Sequence, residues 1–271
     1  MTLSEIGPIL LVGAGKMGLA LARGWLAGGL LPSSLVLVDP MPSDATIAFA
    51  DEHGIRLLSD GTGILTHVVV LAVKPQIMAE VMAELAPGVG KHTLVLSIAA
   101  GISLDQIMSG LASTRVIRTM PNTPAQIGKG ITGAVAGAGI GTTDKELAEA
   151  LLAAAGEVVW FTQESALDAV TAVSGSGPAY VFHLVEALAS AGARQGLELD
   201  DAMKLARATV IGAAALMDAD AAPAAQLRAN VTSPNGTTAA ALKVLMAEDG
   251  LESLLYRTVK AARLRSEELG K

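Results

Sequence analysis

The chain contains no cysteine, and aromatic residues make up only 3% of its 271 positions. Without cysteine there is no disulfide framework, no thiolate nucleophile and no thiolate metal ligand, and the composition suits a reducing compartment. With so few aromatics, the 51% of hydrophobic residues must build an aliphatic core. There are only four histidines (53, 67, 92 and 183), none at metal-ligand spacing from another, so no metal site is expected. Basic residues are in deficit, 19 against 26 acidic, for a net charge of −7. That balance disfavours a nucleic-acid or anionic-membrane partner. No apolar run approaches a membrane span; ATVIGAAALM (208–217) is among the longest. The opening MTLSEIGPILLVGAG has no basic stretch ahead of its apolar run, so no signal peptide is expected and the expected location is cytoplasmic.

What is present divides the chain in two. Up to residue 161, short apolar, β-branched runs recur: 8–12, 34–39, 67–73, 92–98, 115–120, 131–137 and 157–161. Most are continuously apolar, as strands covered on both faces are. Helix-like stretches such as LALARGWLAGG and IMAEVMAELAP lie between several of them. The alternation predicts an α/β fold with a doubly wound, mainly parallel sheet over 1–161. Beyond it the pattern is helical: 164–173, 177–195, 200–218, 223–230, 237–248 and 250–269. The expected second domain is therefore all-helical, 162–271.

The first motif is GAGKMG, 13–18, between an apolar strand and a helix. That context makes a dinucleotide site the expected reading. Gly13 turns the chain, Gly15 admits a pyrophosphate, and Gly18 allows close helix–strand packing. The helix N-terminus receives the phosphate charge. Asp39 ends the second strand, 21 residues after Gly18, where a carboxylate hydrogen-bonds a ribose 2′-hydroxyl and repels a 2′-phosphate. AVKPQ (72–76), SIAAGI (97–102) and RTMPNTPA (118–125) follow later strands, on the carboxyl edge where such folds bind ligands. The two X-Pro units of the last would hold Met120 and Asn122 in extended backbone over the same crevice. In the helical half, SGSGPAY (174–180) and VTSPNGTT (231–238) each open a helix after glycine and serine or threonine. A helix start with unpaired N–H groups is an anion site, and ordinary capping by Ser and Thr is the alternative.

These six motifs, in this order, resemble pyrroline-5-carboxylate reductase over nearly the whole chain. MPNTP, SGSGPAY and VTSPNGTT are far more specific than the glycine fingerprint. The resemblance implies an N-terminal Rossmann domain and a C-terminal helical dimerisation domain. It implies reduction of 1-pyrroline-5-carboxylate to L-proline with NADPH or NADH, in a homodimer or higher homo-oligomer. It assigns the substrate to Gly236, Thr237, Thr238 and Glu164, with the Thr238 hydroxyl facing the ring nitrogen as the catalytic group. It assigns the cofactor to Gly13, Ala14, Gly15, Lys16, Met17 and Gly18 and to Ala72, Val73, Lys74 and Pro75, to which the strand-end position of Asp39 adds the ribose contact read above. Ala99, Ala100, Met120, Asn122 and Asn230 complete that set. Three positions depart from the family pattern. Asn235 stands where a glycine is usual, Ser59-Asp60-Gly61 where many members carry an adenosine-side Asn, and Asp39 where others have a small polar residue.

Two rival readings remain. A β-hydroxyacid dehydrogenase has a similar plan but uses a lysine on a central helix, and PAYVFHLVEALASAGAR (178–194) has none. A non-catalytic dinucleotide-binding regulator would keep GAGKMG without needing the two helical-half motifs together.

Overall fold

A computed structural model describes residues 2–270. The chain opens on strand β1 (Ile9–Val12), followed by helix α1 (Lys16–Ala27), β2 (Leu35–Val38), α2 (Asp44–His53), β3 (Arg56–Leu58) and β4 (Val68–Leu71). Next come α3 (Met78–Leu85), β5 (Leu94–Ser97), α4 (Leu104–Leu111), β6 (Val116–Met120), β7 (Gly130–Ala136), α5 (Thr142–Ala153) and β8 (Gly156–Phe161). The eight strands form one sheet, ordered β3-β2-β1-β4-β5-β6-β7-β8. All pairings are parallel except β6 with β7. Every residue of β1, β2, β4 and β5 is buried, because helices cover both faces; this is why these strands read as unbroken apolar runs. Two aliphatic clusters result, one on each face, around Leu11, Leu37 and Trp25 and around Leu10, Leu71 and Met78.

Sequence reading gives seven strands and the structure has eight. The one it misses is β3, an exposed Arg56 and the half-covered Leu57 and Leu58 beyond β2 at the sheet edge, too short and too exposed to show a period.

The later helices are α6 (Ala166–Val170), α7 (Gly177–Arg194), α8 (Leu199–Ala219), α9 (Ala224–Asn230), α10 (Thr237–Leu245) and α11 (Leu251–Leu269). Between α6 and α7, Thr171–Gly175 forms a π-turn in which the Ser176 N–H donates to the Thr171 carbonyl at 2.8 Å. SGSG therefore sits in a wide helical turn, and one of the donors that sequence reading leaves free there is taken.

The chain forms two compact units, Met1–Ser176 with Ala262–Lys271, and Gly177–Ala261. In the first, the end of α11 is tied to α6 by the Ser266 hydroxyl, which donates to Asp168 Oδ1 at 2.7 Å. In the second, the buried residues are three alanines, Ala189, Ala202 and Ala206, between α7 and α8. Among the described residues no helix is long and apolar enough to cross a membrane.

Candidate active site

The sheet order reverses at β1: β2 and β3 lie on one side, β4, β5 and β6 on the other. Loops leaving neighbouring strands there diverge and open a crevice at the carboxyl edge. Gly13 follows β1, with its N–H on the Val38 carbonyl at 2.8 Å, and the Ala72 N–H donates to Val12 at 2.7 Å. The loop is tight because Gly13 has φ +93° and a Cβ there would lie 2.7 Å from the Ala72 carbonyl. A Cβ on Gly18 would run into the Gly13 carbonyl oxygen, so helix and loop can close only on glycine. Gly15 is different: nothing lies within 4 Å of where its Cβ would stand. That open face lets a bulky ligand reach the backbone. Gly15 is the N-cap of α1, no side chain caps it, and the first turn has no acid. The N–H groups of this turn lack intrahelical partners and favour an anion. The cradle therefore fits a dinucleotide pyrophosphate.

The Ala14 peptides are held from both sides. The Ala14 N–H donates to Asp39 Oδ2 at 3.1 Å and its carbonyl accepts from the Thr46 hydroxyl at 2.9 Å. Asp39 Oδ1 accepts from the Met41 N–H at 3.0 Å. Lys16 is exposed and Met17 half-buried on the first turn of α1. Ala72, Val73, Lys74 and Pro75 follow β4, and Ala99 and Ala100 follow β5. The structure thus gathers these positions, with the glycine loop and Asp39, at the ends of four adjacent strands. Beside them a cleft of about 320 Å³ runs between Val12, Val38, Val73 and Leu85, with Ser59, Asp60 and Gly61 on its wall.

Met120 ends β6, and Asn122 follows it in the connection to β7. The Asn122 amide oxygen accepts from the Ile131 N–H at 3.0 Å, and the residue is 9% exposed, so this side chain ties β6 to β7. Met120 packs against Gly175 of the π-turn. Glu164 Oε1 accepts from Arg118 Nη1 at 2.6 Å and from the Leu104 N–H at 2.8 Å. The carboxylate thereby joins β6 to the start of α4, the helix that follows the Ala99–Ala100 loop. Sequence reading misses Arg118. The signal was a lone cation inside an apolar strand, which on burial requires a partner.

In the second unit, Asn230 ends α9, where its amide oxygen accepts from Gln226 at 2.8 Å. Ser233–Gly236 then forms a tight turn, with the Gly236 N–H on the Ser233 carbonyl at 3.1 Å. Asn235, at this departure from the family pattern, takes φ +58°, a glycine-like conformation that Asn tolerates. Gly236 is the N-cap of α10 and no side chain caps the helix. Thr237 is exposed and Thr238 half-buried at its first two positions. Capping by a Ser or Thr hydroxyl, the alternative open at the sequence level, does not occur here. The helix start presents bare N–H groups beside a hydroxyl, an arrangement suited to a carboxylate next to a group needing a hydrogen-bond partner. Among the described residues no cluster of His, Asp or Glu could hold a metal.

Comparison with known proteins supplies independent findings. Residues 164–269 match the family model for pyrroline-5-carboxylate reductase dimerisation, and residues 8–101 match that for NADP oxidoreductase, coenzyme F420-dependent. A pyrroline-5-carboxylate reductase of Pseudomonas aeruginosa is 40% identical, covering 96% of each chain. One of Pisum sativum is 38% identical over 98% of this chain and 99% of its own. Among solved structures, a pyrroline-5-carboxylate reductase from Coxiella burnetii superposes with a TM-score of 0.90, at 34% identity over 98% of this chain and 100% of its own. The Plasmodium falciparum enzyme, solved with NADP bound, superposes with a TM-score of 0.81 at 27% identity, covering 99% of each chain.

Proposed function

The chain belongs to the pyrroline-5-carboxylate reductase family, and from that premise we propose how its residues divide the work of reducing 1-pyrroline-5-carboxylate to L-proline. NAD(P)H supplies the hydride. The glycine loop Gly13–Gly18 and the bare start of α1 hold the pyrophosphate. Asp39 takes the adenosine ribose, and Ala72–Pro75 with Ala99 and Ala100 border the nicotinamide. Asn230 completes the cofactor contacts. The observation that carries the substrate assignment is the uncapped start of α10 after the Asn235 turn. Backbone N–H groups of Thr237 and Thr238 bind the substrate carboxylate, and the Thr238 hydroxyl hydrogen-bonds the ring nitrogen.

The chemistry explains why no triad or metal cluster is needed. A protonated cyclic imine is already electrophilic. Hydride adds to the imine carbon, the C=N π pair becomes a lone pair on nitrogen, and the product is a secondary amine. The protein's task is to hold the reacting carbons at bonding approach, which proximity and orientation supply. Glu164, fixed by Arg118, sits beside the loop Ala99–Ile102 through α4 and orders the substrate side.

Residues 1–161 form the nucleotide-binding part of this plan, and 162–271 the substrate-binding and dimerising part. A homodimer is proposed because the Gly177–Ala261 unit leaves apolar side chains bare, Phe182 at 65%, Ile211 at 59% and Val244 at 73% exposure among them. Cytoplasmic residence goes with the cysteine-free composition, which suits a reducing compartment. The test is direct: purified protein should oxidise NADPH or NADH when given 1-pyrroline-5-carboxylate, form proline, and keep its activity in the presence of a chelator. No turnover with either cofactor, or inactivation by the chelator, refutes the reading. Turnover of a hydroxy acid in reverse, without imine reduction, would favour the dehydrogenase alternative.

A further inference from the structure

We infer that the adenosine end of this cofactor site is built for NADH and against NADPH, and that Asp39 is the residue that discriminates. The inference rests on the reductase reading above and names which of the two cofactors the site prefers. Asp39 is fixed in place. Its Oδ2 is bonded by the Ala14 N–H at 3.1 Å and its Oδ1 by the Met41 N–H at 3.0 Å. Swinging away from the ribose position would break both bonds. A carboxylate has about four acceptor sites, so two remain for the 2′- and 3′-hydroxyls of a ribose. A 2′-phosphate in the same place brings a second anion, about −1.5 to −2 in charge at neutral pH, against the carboxylate.

The surroundings offer that phosphate no relief. The cleft flanked by Val38 and Pro40 carries Asp60, Glu80 and Glu84, and none of its lining residues is Lys or Arg. The connection from β2 to α2 has no cation, and α2 opens on Asp44. Its N-cap hydroxyl, Ser43 Oγ, is occupied by the Thr46 N–H at 3.2 Å. The cations on neighbouring elements are poorly placed. Arg23 lies over the Phe49 ring, 4.7 Å from its centroid. Arg56 begins β3, opposite Val36, two residues short of the carboxyl end where Leu58 meets Val38. Lys74 follows β4, on the far side of β1 from Asp39. Lys16 stands in the glycine loop, where the pyrophosphate common to both cofactors binds.

The test titrates NADH and NADPH separately into wild-type protein and Asp39→Asn, following nicotinamide fluorescence at low salt. It then compares kcat/KM for both cofactors with 1-pyrroline-5-carboxylate. The amide oxygen keeps an acceptor for the Ala14 N–H and the charge is removed, at the cost of the bond from the Met41 N–H, so NADH binding by the variant reports whether the loop is kept. Wild type should bind NADH at least about tenfold more tightly than NADPH, and Asp39→Asn should move that ratio toward NADPH by at least about tenfold. Added salt should narrow the wild-type ratio by screening the repulsion. Equal or tighter NADPH binding by wild type, or a ratio unchanged in the variant, overturns the assignment. If the dissociation constants follow the expected order but neither cofactor is oxidised by the imine, the cofactor assignment stands and the reductase reading falls.

Discussion

Thr238 is half-buried at the second position of a helix that no side chain caps. Its hydroxyl is therefore free for the imine nitrogen in the proposed complex. Thr238→Ala should lower kcat/KM by about ten- to a thousandfold, or roughly 1.4–4 kcal/mol of transition-state stabilisation, with the Kd for NAD(P)H nearly unchanged. Thr238→Ser should retain more activity, and a fully active Thr238→Ala would reduce the threonine to a helix former. Arg118 makes a second prediction. Its side chain is 11% exposed and its partner Glu164 30%, so removing the cation strands a half-covered carboxylate. Arg118→Leu should cost about 1–3 kcal/mol in denaturant unfolding, and adding Glu164→Gln should recover part of it. Equal stability of Arg118→Leu and wild type would leave the pair without structural weight. The contrast between these sites explains what could be read in advance. The glycine fingerprint and the VTSPNGTT turn are legible because their geometry is local: Gly13, Gly18 and Asn235 each occupy a backbone state or a close approach that few residues tolerate. The Arg118–Glu164 pair spans 46 residues of sequence, and nothing local to either side chain names the other.

At the scale of elements, the central strands were legible because burial on both faces leaves no polar alternation to confuse them, whereas β3 had too few residues for any pattern. The π-turn was illegible for another reason. No residue pattern marks its wide ring, and its Gly175 lies against the end of the Met120 side chain, a neighbour from across the fold. The start of α5 carries the clearest pH dependence. Asp144 accepts from the Gly141 N–H at 3.1 Å and pairs with Arg115, which itself reaches the His92 carbonyl. Burial pushes the Asp144 carboxyl up, but the Arg115 guanidinium and the Gly141 N–H outweigh it and hold the group below its ordinary value. A carboxylate whose folded pKa is depressed stabilises the protein above its unfolded pKa, and that contribution is lost as pH falls through the folded value. Asp144→Ala should therefore cost about 1–3 kcal/mol at neutral pH. The gap to wild type should close as pH drops below the usual carboxylate range. A gap that stays constant down to the acid transition would mean that the ion pair contributes nothing.

For the whole molecule, the decisive contrast is between the two units. The first carries two large aliphatic clusters, whereas the second buries three alanines and leaves Phe182, Leu199, Leu216 and Tyr256 between 61% and 68% exposed. Three small side chains cannot offset the conformational entropy of ordering α7 to α10 and the first half of α11. Sequence composition hints at this, since α7 is apolar nearly all round, but the extent of bare surface depends on which faces α7 and α8 spend on each other. A second copy of the chain supplies the missing cover in the proposed homodimer. Light scattering should then give a dimer or larger assembly at micromolar concentration, and the thermal midpoint should fall on dilution, because subunit association is part of the stability. Ile211→Asp sharpens the test. Ile211 is 59% exposed on α8 of the protomer, so a carboxylate there would sit in water if the monomer were the working form, and the change would be near neutral. Under a partner it would be a buried, unpaired charge, and the variant should dissociate or aggregate with loss of imine reduction. A variant that stays assembled, equally stable and fully active would show that this face of α8 is bare in the native protein.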